Sequence, residues 1–156
     1  MGIKPGWEGR YYEDFEIGDI YKHPYGKTIS ETENMWFSHI TLNLNPLHFN
    51  ADYAAQTEFK RPVVDGLLTL SLVVGMSVID LSQNGFNLQM DEVIHHAPVF
   101  NGDTIYGQSE VLAKRESASR PGWGIVTVRS EGYNQDGVKV ISFKRTIMVK
   151  KQVGNK

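Results

Sequence analysis

Two short stretches of this 156-residue chain carry side chains whose types and spacing suit chemistry. The first is Asn43-Leu44-Asn45-Pro46-Leu47-His48. Proline fixes its own φ and disfavours the α region at Asn45, so His48 sits in a restricted loop beside two carboxamides. An imidazole placed there suits proton transfer, because its unperturbed pKa of ~6.5 lies near neutrality. The same ring could equally bond a backbone carbonyl and do nothing more. The second stretch is Asp65-Gly66-Leu67, which opens a long apolar run. The first amides of a helix lack partners within it, so those of Gly66 and Leu67 would form an oxyanion site for any ligand that reaches them. Asp65 taken by itself reads as an N-cap.

Other polar groups point less clearly to a site. His95 and His96 are adjacent in a strand-like segment, where neighbours face opposite ways, so no metal site is expected from them. His23 and His39 read as surface or packing residues. Arg115, Arg120, Lys144 and Arg145 could contact an anionic ligand or simply line solvated strand faces. Gly122-Trp123-Gly124 is not a phosphate loop. A formal net charge of −2 gives no electrostatic reason to expect nucleic acid or an anionic membrane as partner. The absence of cysteine excludes a disulfide framework and a thiolate zinc site, and fits a reducing cytoplasm. Residues 1–19 have no apolar core, so no signal peptide is expected, and Gly6 breaks the acylation pattern.

The elements that must position these residues follow from periodicity and turn signals. The run Gly66 to Asp80 is apolar nearly all round, the pattern of a helix buried on every side, and is too short to span a membrane. Residues 1–18 read as an arm packed on the domain by its aromatic rings. A strand is expected from Ile20 to Ile29, weakened by Pro24. Ser30 and Glu33 form a capping box for a helix to about Ile40, with Met35, Trp36 and Ile40 facing inward. Asn50 caps a short second helix. Period-two segments near 88–97, 104–115, 123–133 and 138–150 are separated by turns, of which Asn134-Gln135-Asp136-Gly137 is the strongest hairpin signal. One α+β domain over residues 1–156, with a curved antiparallel sheet wrapped around a central helix at about 66–80, accommodates all of this. Such a sheet leaves an edge, and pairing edges between two chains covers it, so a homodimer is expected.

With these segments assembled, the chain resembles the MaoC-type (R)-specific enoyl-CoA hydratase/dehydratase family over roughly residues 10–150. Three motifs carry the resemblance: Asn43 to His48, similar to the family's Asp-x-Asn-Pro-x-His; Pro62-Val63-Val64-Asp65-Gly66-Leu67-Leu68-Thr69-Leu70-Ser71, entering the central helix; and Pro98-Val99-Phe100-Asn101-Gly102-Asp103. The resemblance implies a hot-dog fold and reversible addition of water to a trans-2-enoyl-CoA. It implies His48 as general base and acid, the Gly66 amide as thioester-oxygen donor, Asn45 orienting the loop and Ser71 supporting it by a hydrogen bond. The acyl chain would lie at the dimer interface, and the substrate would arrive as a coenzyme A thioester with no separate cofactor. The sequence departs from the pattern twice: Asn43 replaces the catalytic Asp, and Asp65 stands where many relatives have His. A carboxamide cannot exchange a proton at neutral pH, so either His48 carries both proton steps, another acid such as Asp65 substitutes, or activity is lost. The first reading is a hydro-lyase acting on a short or branched acyl-CoA. The alternatives are a hot-dog thioesterase built on Asp65 or Asp80, and a non-catalytic acyl-CoA-binding subunit.

Overall fold

The computed structural model describes residues 1–153. Its strands are β1 (Ile20–Lys22), β2 (Lys27–Thr28), β3 (Gly85–His95), β4 (Thr104–Glu116), β5 (Trp123–Tyr133) and β6 (Lys139–Lys150); its α-helices are α1 (Glu31–Ile40), α2 (Ala51–Ala55) and α3 (Gly66–Leu81). The strand order is β1-β4-β5-β6-β3, every pairing is antiparallel, and β2 pairs with β4 beyond β1. The strand expected over 20–29 is thus split in two around Pro24, which has no amide for a ladder. The sheet curls around α3 in the hot-dog arrangement.

A stripe of α3 at every fourth residue, Thr69, Val73, Ser77 and Leu81, is buried against the sheet. Close approach is possible because Gly132 has no side chain: a Cβ there would lie 2.8 Å from Val73 Cγ2 and 2.9 Å from Ile141 Cγ2. Alternation along β6 turns Ile141, Phe143, Arg145 and Ile147 toward the interior. Tyr12 and Phe15 of the N-terminal arm pack into the same core as Leu81, Val126 and Ile147. Trp7 remains half exposed, but its indole donates to the Ile79 carbonyl at 3.0 Å. No helix among the described residues is long and apolar enough to cross a membrane.

Three expectations need correction. The central helix is not covered on all sides: Leu67 is 57% exposed and Val78 39%, because one chain's sheet encloses only one flank of it. On α1 the inward residues are Asn34 and Ser38, whereas Trp36 is 67% and Ile40 70% exposed. The Ser30–Glu33 capping box forms, but it fixes where the helix starts and not which face turns in. Arg145 is not available to any ligand. It is buried, donating to Asn87 Oδ1, to Ser77 Oγ at 2.5 Å and to Ser82 Oγ at 2.7 Å, near the carbonyl end of α3. Burial pushes its pKa down to about 10, so it stays charged at neutral pH.

His23 is also more than a packing residue. Its fully buried ring, just after β1, bridges α3 and β4: Nδ1 donates to Asp80 Oδ2 at 2.8 Å, and Nε2 accepts from Ser109 Oγ at 2.9 Å. Asp80 also accepts from Arg10 at 2.9 Å, which ties down the N-terminal arm. Burial lowers the His23 pKa and outweighs the opposing pull of Asp80. The unfolded chain therefore binds a proton, near pH ~6.5, that the folded chain refuses. Stability from this residue is present above that pH and lost as pH falls below it. Chemical denaturation at about pH 7.5 and about pH 5.5 should show the loss in the wild type and a shallower one in His23→Gln. Equal slopes in the two proteins would contradict the assignment.

Candidate active site

The loop after α1 is held by its own amides. The Asn43 amide donates to the Ser38 carbonyl at 2.8 Å, Asn43 Oδ1 accepts from the Asn45 amide at 3.3 Å, and Asn45 Oδ1 accepts from the Leu47 amide at 3.1 Å. This last bond caps a 3-10 turn, Pro46–His48, with proline at its first position, where a missing N–H costs nothing. The turn delivers His48. Its Nδ1 lies 2.8 Å from the Val63 carbonyl oxygen, which can only accept, so Nδ1 carries the proton and Nε2 keeps its lone pair. The carbonyl bond that would make His48 merely structural is therefore present, and it leaves the other nitrogen without a partner among the described residues.

The segment entering α3 meets this loop through Asp65, which is 2% exposed. Its Oδ1 accepts from the Leu67 amide at 2.9 Å, an N-cap, and its Oδ2 accepts from Asn43 Nδ2 at 2.7 Å. Asn34, buried in α1, closes the arrangement. Its Nδ2 lies within 3.0 to 3.2 Å of the His48 carbonyl, the Val63 carbonyl and Asn101 Oδ1, while its Oδ1 accepts from the Asp65 amide at 2.9 Å. One carboxamide thus joins α1, the His48 turn, the approach to α3 and the turn before β4. Periodicity could not reveal this role; the only hint was an asparagine, a poor helix former, inside an otherwise well-capped helix.

A cavity of about 340 Å³ lies against this region. His48, Gly66, Thr69, His95 and His96 line it, with an apolar wall that includes Phe59, Val63 and Val99. His48 and Gly66 are therefore brought together, as the motif spacing suggests. Of the two candidate oxyanion amides only Gly66 remains without an acceptor among the described residues, because Asp65 occupies that of Leu67. A Cβ at Gly66 would lie 2.8 Å from the His95 ring, so any larger residue there would push that ring aside. His95 and His96 both border the cavity instead of diverging, because β3 ends at His95 and its alternation ends with it. Among the described residues no three His, Cys, Asp or Glu side chains are grouped to hold a metal ion.

Ser71 is not part of this site within one chain. It falls one turn after Leu67 on the open flank of α3, and among the described residues its hydroxyl bonds nothing in the loop. Arg115 and Arg120 lie toward the far end of the sheet, where β4 and β5 meet beyond Gly124, and neither they nor Lys144 line the cavity.

The profile described as mesaconyl-CoA hydratase matches residues 5–155. A mesaconyl-CoA hydratase of Haloarcula marismortui is 33% identical over 144 residues, 91% of this chain and 40% of that protein. An (R)-specific enoyl-CoA hydratase of Aeromonas caviae is 30% identical over 130 residues, 83% of this chain and 92% of that protein. The solved structure of a MaoC domain protein dehydratase from Chloroflexus aurantiacus superposes with a TM-score of 0.91 at 28% identity, covering 99% of this chain and 44% of that one. The chain spans about two-fifths of the length of the mesaconyl-CoA hydratases it matches. On its motifs, its fold and these likenesses, the chain belongs to the mesaconyl-CoA hydratase family of MaoC-like hydratases and dehydratases.

Proposed function

We propose that the chain adds water reversibly to the double bond of a short or branched 2-enoyl-CoA thioester. The observation that carries this reading is His48, whose Nδ1 is committed to the Val63 carbonyl while its ring borders the cavity shared with the Gly66 amide. Nε2 accepts the proton of a water as its oxygen attacks the β-carbon. Electron density then moves through the conjugated system onto the thioester oxygen, where the Gly66 N–H meets it. The imidazolium returns the proton to the α-carbon, so one base handles both transfers and the elements of water are conserved. The names of the relatives, mesaconyl-CoA hydratase and β-methylmalyl-CoA dehydratase among them, favour a methyl-branched dicarboxylic acyl group.

In this reading Asn43 and Asp65 brace the loop and carry no proton. Asn43 donates to Asp65, and both carboxylate oxygens are engaged. That arrangement also disfavours the thioesterase alternative, since Asp65 is buried with both oxygens already engaged, and Asp80 is held by Arg10 and His23 at the other end of α3.

The site is completed by a second copy of the chain. The edge strand β3 exposes Leu88, Met90, Val93 and Ile94, and the outer flank of α3 exposes Leu67 and Val78. Unpaired backbone and apolar side chains on one edge favour strand pairing. Sedimentation should give a dimer, converted to monomer by Leu88→Lys; a monomeric wild type would refute the assembly. The activity is tested with crotonyl-CoA and mesaconyl-CoA, following enoyl absorbance and free thiol together. The enoyl band should disappear without thiol release, and His48→Ala should lower kcat at least ~100-fold. Thiol release would establish a thioesterase instead, and binding without either signal a silent subunit.

A further inference from the structure

We propose that His95 donates the second hydrogen bond to the thioester oxygen, an inference that rests on the hydratase reading of the same cavity. Charge accumulating on that oxygen calls for more than one donor. The start of α3 offers a single one, because the Leu67 amide is held by the Asp65 carboxylate and the Leu68 and Thr69 amides by the Asp65 carbonyl. His95 packs against the residue that carries the free donor. Its Cε1, Nε2 and Nδ1 atoms are 2.8, 3.1 and 3.3 Å from the point a Gly66 Cβ would occupy, so the imidazole rests directly on the residue whose amide is free.

Two further features single out this ring. Among the described residues its side chain makes no hydrogen bond, whereas His96 Nε2 is tied to Ser142 Oγ at 2.7 Å and His48 Nδ1 to Val63. The ladder between β3 and β6 also slips between Asp91 and Ile94, with Glu92 at a φ of 51°. Such a bulge re-aims the side chains that follow it. Here it precedes His95 by a few residues, and the ring turns onto the helix start. No proton transfer is required of His95: a ring N–H polarises the carbonyl while His48 handles the water.

The test compares wild type, His95→Phe and His95→Gln, each checked for unchanged fold by circular dichroism. Turnover of an enoyl-CoA is measured with the carbonyl stretch of the bound, carbonyl-labelled thioester. In His95→Phe, kcat should fall about 100-fold with KM changed much less, and the carbonyl band should move back toward its frequency in water. His95→Gln, which keeps an N–H donor, should recover part of both. Hydration and band position unchanged in His95→Phe would overturn the inference and leave the hydratase reading intact. A wild type that shifts the band but hydrates nothing would instead overturn the hydratase reading, and relaxation of the band in His95→Phe would still support the donor.

Discussion

The structure around the cavity depends on one buried carboxylate satisfied on both oxygens. Asp65 caps α3 through the Leu67 amide and holds Asn43 through the other oxygen, while its own amide is held by Asn34. A buried carboxylate is costly unless it is hydrogen-bonded, and here each oxygen accepts one N–H, that of Leu67 lying at the positive end of α3. Because the two donors belong to different segments, satisfying the charge fixes their relative position. The helix start, the loop after α1 and the His48 turn are then a single rigid unit.

Within that unit the division of labour is electrostatic. Engaging the Leu67 amide leaves Gly66 as the free one, which defines where negative charge can be received. The Val63 carbonyl fixes the His48 tautomer, which defines where a proton can be taken. The carboxamide at Asn43 is consistent with both. A second carboxylate at that half-buried position would face the buried Asp65 at hydrogen-bond distance, and two like charges cannot both ionise there without penalty. Asparagine at 43 and aspartate at 65 are therefore one choice made at two positions.

Much of this could be read from the chain. The turn made by Asn45 and Pro46, the cap at Asp65, the start of α3 at Gly66, the capping box at Ser30 and the hairpin at Asn134–Gly137 rest on local backbone chemistry, which a few adjacent residues determine. What escaped depends on long-range contacts. Trp36 and Ile40 looked like core residues, but Asn34 and Ser38 take the inward face of α1, where Asn34 satisfies three backbone groups in two other segments. His95 reaches the site through a slip in the β3 ladder that its sequence does not announce. Arg145 reads as a solvated strand charge and is instead enclosed by Ser77, Ser82 and Asn87. The open flank of α3 was hidden by an apolar pattern that does not distinguish cover by the same chain from cover by another.

Asn43 and Asp65 act as a coupled brace, and a double-mutant cycle measures that coupling. Urea stability and kcat/KM are measured for the wild type, Asn43→Asp, Asp65→Asn and the double variant that exchanges the two groups. Asn43→Asp should destabilise by roughly 1–3 kcal/mol, since it sets a half-buried carboxylate against the buried one of Asp65. Asp65→Asn keeps an N-cap oxygen but sets an NH2 against that of Asn43, which should cost about 1 kcal/mol, and both single variants should lose turnover. The double variant restores a donor opposite a carboxylate, so it should be more stable and more active than the sum of the single effects allows. Additive effects, or an Asn43→Asp variant that gains activity at unchanged stability, would contradict the brace.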